Sequence, residues 1–225
     1  MQAQKSGWLT LFHDRGRGNT VQGQRVRRRM DEERFRKQLD FILEIDKEKT
    51  ILRQTHLTGH GRREDDADHA WHLAVMTWLL SEYANAKIDV GRTMLMVLIH
   101  DIVEIDAGDT YAYDKEGKKT ESTRENAAAD RIFGLLPEDQ GAALRALWEE
   151  FNAYETPEAR FAHTMDNFQP MLLNNSNGGG DWKEHGIARS QVEERNAKTG
   201  TGSEDIWKYM QSILDANVQK GSLKE

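Results

Sequence analysis

Apolar residues recur every three or four positions along most of this chain, and only three prolines (Pro137, Pro157 and Pro170) interrupt them. That period belongs to α-helices with one buried stripe, and strand-like alternation is hard to find anywhere. The sequence therefore predicts an all-α fold. Helices are expected at about 30–46, with Phe35, Leu39 and Ile42 on the buried face, and at 68–84, with Trp71, Val75, Trp78 and Leu79. The run from 90 to 104 is so apolar through Met94 to Ile99 that burial on every side is expected. Further helices are expected at 122–135, 138–151, 157–174, 187–197 and 203–219, the last capped by Ser203. Two glycine-containing segments, 106–120 and 174–186, read as loops.

At 225 residues the chain suits one sizeable domain. Its net charge of −7 is unevenly spread. Residues 1–29 hold seven bases and one acid, a net of +6, which leaves −13 on residues 30–225. The expected organisation is a basic, disordered arm over 1–29 followed by an acidic domain over 30–225. An acidic body argues against a nucleic-acid polymer as partner. No apolar run approaches the ~18 residues needed to span a bilayer, so no membrane partner is expected. The stretch from Trp8 to Phe12 is too short for a signal-peptide core. With no cysteine in the chain, the reading is a cytoplasmic protein whose metal ligands, if any, are His, Asp and Glu.

The buried run Met94–Ile99 ends by delivering His100 and Asp101, with Glu104 following. Burying unpaired charge costs several kcal/mol (roughly 3–5 when a partner is missing), so these groups need a compensating partner or an ion. His100, Asp101 and Glu104 can face one volume, two as ligands and the third for proton transfer. His69 and His72, at i and i+3, start another helix, and only one of them need be a ligand. Asp166 flanks the stripe of Phe161, Met165, Phe168 and Leu172; Pro170, four residues on, is expected to kink the helix and aim Asp166 inward. A divalent ion held there would activate water and draw charge from a phosphoryl oxygen, which makes phosphoester hydrolysis the reaction class.

The order His69, then His100-Asp101, then Asp166 resembles the HD-domain metal-dependent phosphohydrolase superfamily. Asp68-His69-Ala70-Trp71-His72, Leu98 to Thr110, Leu135-Leu136-Pro137, Leu147 to Phe151 and Asp166 to Pro170 look like its branch related to five-prime-deoxynucleotidases. The resemblance covers about residues 30–221. It implies that His69, His100, Asp101 and Asp166 bind one divalent metal ion, that Glu104 is the family's acidic residue in catalysis, and that Asp109 contacts the substrate sugar. Mn, Co, Mg, Fe, Ni and Zn are not distinguished. Arg53 is the nearest match to the family's substrate-binding arginine, although its spacing to His69 differs by about one residue and the following aromatic is replaced by Gln54. Arg63 or Arg62 could serve a phosphate instead. The expected partner is a small phosphorylated substrate, best a nucleoside 5'-monophosphate, and a homodimer is possible. Two other readings stand beside it: a nucleoside triphosphate or alarmone hydrolase, and a non-catalytic, metal-stabilised nucleotide-binding protein. His163 reads as structural, and His185 has no assigned role.

Overall fold

In a computed structural model of the chain, residues 31–225 are described, apart from Lys115. The arm expected over 1–29 lies outside the described residues. The body runs as α1 (Glu32–Ile45), a 3-10 turn (Asp46–Thr50), the hairpin strands β1 (Leu52–His56) and β2 (Arg63–Asp65), and α2 (Asp66–Leu80). It continues through α3 (Val90–Ile99), α4 (Glu104–Ala107), α5 (Lys118–Phe133), α6 (Glu138–Ala153) and α7 (Pro157–Ser176). The last helices are α8 (Gly180–His185), α9 (Arg189–Asn196) and α10 (Glu204–Gln219).

Helix starts follow local chemistry. Asp65 caps α2 and is answered by Asp68 in a reciprocal box, Thr156 caps α7 with Pro157 in its first turn, and Ser203 caps α10 as expected. Helix α7 is the axis of the fold and packs on α2, α3, α6 and α10. Its Phe161, Ala162, Met165 and Phe168 are buried with Leu73 of α2, Met96 and Val97 of α3, and Met210 and Leu214 of α10. Among the described residues, no helix is long and apolar enough to cross a membrane.

The structure differs from the sequence reading in five places. The segment 174–186 is mostly helical, because α7 runs to Ser176 and α8 starts at Gly180. Helix α5 starts at Lys118, so the other loop is shorter than expected. The hairpin of β1 and β2 was not anticipated, and it carries no apolar alternation: Leu52 pairs with Asp65 and His56 with Arg63, around a central Glu64 that is almost fully buried. Finally, the stripes assigned to the core on α1 and α2 face outward. Phe35, Leu39 and Ile42 are exposed while Phe41 is buried, and Trp71 and Trp78 are 65% and 56% exposed. Helix α2 is apolar nearly all round, and it gives the core its smaller side, Ala70, Leu73, Ala74 and Met76. Periodicity identifies an apolar face without saying what covers it. For the same reason α3 is not buried on every side, since Leu95 and Leu98 reach the surface.

Candidate active site

Four elements meet at the end of α3: the first turn of α2 brings His69, the tip of α3 brings His100 and Asp101, the middle of α7 brings Asp166, and β1 brings Arg53. His69 Nε2 lies 3.1 Å from Asp166 Oδ1. His100 Nε2 lies 3.1 Å from Asp101 Oδ2 and 3.7 Å from Asp166 Oδ1. Helix α7 continues through Pro170 without a break, and Asp166 is directed inward.

Which nitrogen carries the proton follows from the hydrogen bonds behind each ring. His100 Nδ1 donates to the carbonyl of Val97 at 2.9 Å. Gln169 donates its amide to Glu64 Oε1, which turns Gln169 Oε1 toward His69 and makes His69 Nδ1 the donor at 3.0 Å. Both Nε2 atoms then present lone pairs to carboxylate oxygens, and His100 Nε2 has no hydrogen-bond partner. Buried acceptors facing one another at about 3 Å need a proton or a metal ion between them. The imidazole and carboxylate donors suit a divalent transition metal, and the hydrogen-bonded far sides of both rings are the usual support for metal-bound histidine. The residues present fit such an ion. His69, rather than His72, faces the cluster, because His72 Nδ1 accepts from Gln169 at 3.2 Å on the other side.

Charge around this point is heavily negative. Arg53 donates to Asp101 Oδ2 at 2.7 Å and to Asp66 Oδ1 at 3.2 Å, and sits 3.9 Å from Glu64. Burial works against the ionised form of Asp101, but His100 and Arg53 hold its pKa below the ordinary carboxylate range. The same opposition holds for Asp166, kept ionised by His100 and His69. Burial also works against a charged His100, yet Asp101 and Asp166 raise its pKa well above the usual histidine value. Carboxyls for which burial and repulsion outweigh any such partner move the other way. Burial and repulsion from Asp101 push Asp66 up to about 7 and Glu48 up to about 8, and burial with Asp101 and Asp66 lifts Glu104 well above its ordinary value. Glu104 Oε2 is buried without a hydrogen bond.

Beside the cluster lies a cleft of about 100 Å³, lined among others by Arg53, Asp109, Tyr111, Asn167, His185 and Arg195. Asp109, whose pKa is raised by burial, stands on its wall. Arg63 does not line this cleft; its side chain bonds Gln54 at 2.7 Å. Arg62 pairs with Asp65 and Asp68 on the surface. His163 stacks on Phe151 at 3.8 Å and bonds its carbonyl, and Phe151 in turn packs edge-on against His100. His185 gains a place on the cleft wall, 5.3 Å from Tyr111. Several residues escaped the sequence reading. Glu64 and Asp66 support the ligands from positions with no motif of their own, Gln169 does so from within the Asp166 to Pro170 motif without having been given a role, and Glu48 joins them from a 3-10 turn. Arg195 opens onto the cleft from α9 without an ion pair among the described residues. The Arg62-Arg63-Glu64-Asp65-Asp66 charge run was the available signal for two of these, but it reads equally as a solvated loop.

Residues 45–207 match the HD domain family, and the chain belongs to it. A predicted metal-dependent phosphohydrolase from Magnetospirillum magnetotacticum MS-1 has the same architecture, with a TM-score of 0.82 and 48% identity over 86% of this chain and 97% of that one. The human protein 5'-deoxynucleotidase HDDC2 is 32% identical over 111 residues, which cover 49% of this chain and 53% of the human one. Its counterpart from Dictyostelium discoideum is 29% identical over 60% of this chain and 74% of its own length. The chain thus spans about half the length of most of the 5'-deoxynucleotidases it matches.

Proposed function

We propose that the protein is a divalent-metal-dependent phosphohydrolase that releases phosphate from a nucleoside 5'-monophosphate. The observation that carries this reading is the set of buried acceptors, His69 Nε2, His100 Nε2, Asp101 and Asp166, facing one another beside a buried Glu104 and an open cleft. One divalent ion held by those four side chains would supply Lewis acidity and a water of lowered pKa. Glu104, whose pKa is raised by burial, is suited to hand a proton to the leaving alkoxide and take one back from water. Asp109 is offered to the sugar, Arg195 to the phosphate, and Tyr111 to the base. Arg53 is committed to Asp101 and Asp66, so its part toward substrate is to keep those carboxylates in place. The names of the relatives support the same substrate class.

A triphosphate would need several unpaired cations along the cleft. Arg53 and Arg195 are the only Lys or Arg side chains lining it among the described residues, and Arg53 is already paired, so the monophosphate is favoured. We infer in addition that a second copy of the chain covers the outward apolar side chains of α1, α2 and α3, among them Leu43, Trp71, Trp78 and Leu98.

The deciding experiment is a phosphate-release screen of nucleoside mono- and triphosphates with Mn, Co or Mg. Phosphate from monophosphates is expected. Pyrophosphate or triphosphate release would favour the triphosphate reading, and no release with retained binding would favour a non-catalytic protein. Asp101→Ala is expected to lose metal and activity together, whereas Glu104→Gln loses turnover and keeps its metal.

A further inference from the structure

A second cluster of metal-ligating groups lies on the hairpin, built from residues that the candidate active site does not use. His56 ends β1, His60 sits in the turn that follows, and Asp181 belongs to the first turn of α8. His56 Nδ1 is 2.7 Å from Asp181 Oδ1, and His60 Nδ1 is 4.0 Å from the same oxygen. One ligand atom from each of the three residues falls within 4.8 Å of the others. The two imidazoles are adjacent and tilted by 31° to one another, with ring centroids 4.4 Å apart.

A hydrogen bond between His56 and Asp181 accounts for two of these residues but leaves His60 unexplained. Its backbone is left-handed, with φ 55°, a conformation that non-glycine residues adopt at some cost. Its ring finds no hydrogen-bond partner among the described residues, yet it lies against the His56 ring. The surrounding bonds fix it there. His60 N–H donates to Asn177 Oδ1 at 2.9 Å, while Asn177 Nδ2 donates to the carbonyls of His56 and Leu57. His56 N–H donates to Asp181 Oδ2 at 3.1 Å, which orients the other carboxylate oxygen toward the two rings. Gly180 makes room: a Cβ there would stand 3.2 Å from the His60 ring. Asp181 is buried and His60 half exposed, so the cluster has a fixed inner side and an open outer side.

The geometry points to a second metal site, in which His56 Nδ1, His60 Nδ1 and Asp181 Oδ1 bind a zinc-class divalent ion with a fourth position open to solvent. Bonds of about 2.0–2.2 Å to nitrogen and oxygen in a tetrahedral shell put ligand atoms about 3.4 Å apart, between the 2.7 and 4.0 Å observed. Two imidazoles and one carboxylate favour zinc, cobalt or nickel over calcium or magnesium, which prefer all-oxygen shells. The ion would tie the hairpin to α8. Because β1 also carries Arg53 and Asp181 also lines the cleft, it would brace one wall of the candidate active site without entering its chemistry.

The test is equilibrium dialysis of metal-free full-length protein against Zn2+, with metal counted per chain. Wild type is expected to take two equivalents. His60→Asn, which tolerates the left-handed backbone, should take one, and Asp101→Asn should take one at the hairpin. Zn2+ should raise the melting temperature of Asp101→Asn and leave the double variant unmoved. Equal counts in wild type and His60→Asn would overturn the second site, whatever the phosphatase screen gives. Loss of an equivalent only in Asp101→Asn would assign all binding to the other cluster.

Discussion

Arg53 offers the sharpest perturbation, because its position decides between two roles. If the guanidinium serves only substrate, removing it leaves the empty protein as stable as before. In the structure its side chain is 12% exposed, 2.7 Å from Asp101, 3.2 Å from Asp66 and 3.9 Å from Glu64. Arg53→Met keeps most of the apolar stem and deletes the charge, leaving three carboxylates to face one another with His100 as the nearest cation. Breaking a buried pair from one side costs about 3–5 kcal/mol. At roughly 2–4 °C per kcal/mol for a domain of this size, the melting temperature should fall by about 6–20 °C. The dependence on pH has a definite sign. Asp66 is already raised to about 7 with Arg53 present, and it rises further without it. The folded variant then binds more protons than the unfolded chain, so its stability increases as pH falls from 7 toward 5 and the gap to wild type narrows. Circular-dichroism melts in EDTA at pH 7 and pH 5 measure both effects. A variant melting within about 2 °C of wild type, or a gap independent of pH, would refute the assignment of Arg53 to charge neutralisation.

Arg195→Ala should raise KM roughly tenfold or more with little change in kcat, since a charge-assisted hydrogen bond contributes about 1.5–3 kcal/mol; an unchanged KM would remove Arg195 from the phosphate contacts. His163 has its pKa lowered to about 4 by burial, so the stability it contributes is complete above about 6.5 and is lost as pH falls toward 4, by up to about 3 kcal/mol. Urea melts at pH 7 and pH 4.5 should therefore show wild type losing more stability than His163→Gln, and parallel losses would count against it. Trp78→Glu places a charge among the outward apolar side chains of α2 and should turn a dimer into a monomer in size-exclusion chromatography with light scattering. A wild type that runs as a monomer would remove the proposed interface.

What the sequence made legible, and what it hid, divides by the kind of force involved. The helices were readable because each has an apolar stripe or a cap, as with Ser203 before α10 and Pro157 in the first turn of α7. His100, Asp101 and Asp166 stood out because each stands next to such a stripe, His69 was separated from His72 only by the resemblance to the HD-domain superfamily, and the structure brings the four together. The hairpin was hidden because it is held by backbone pairing and by buried charge around Glu64, which looks like a solvated run in one dimension. The part Gln169 plays was hidden because its partners His69 and Glu64 are 100 and 105 positions away in the chain. The outward side of α2 misled for the opposite reason: its apolar pattern is strong, but pattern alone does not separate a core from a surface.

Net charge then constrains how the site works. The body carries −13, and Glu64, Asp101, Asp109 and Asp166 add to a field that repels a phosphate dianion. Among the described residues Arg53 is the only arginine within the cluster, and its hydrogen bonds to Asp66 and Asp101 leave it little to offer an incoming anion. Raised pKa values at Asp66, Glu48 and Glu104 relieve part of the repulsion, but this does not reverse the sign. Phosphate affinity should accordingly depend on a divalent cation at His69, His100, Asp101 and Asp166, and raising the ionic strength should weaken substrate binding less than it would at a lysine-rich site. A salt-insensitive KM together with a metal-dependent substrate Kd is the signature that this charge arrangement requires.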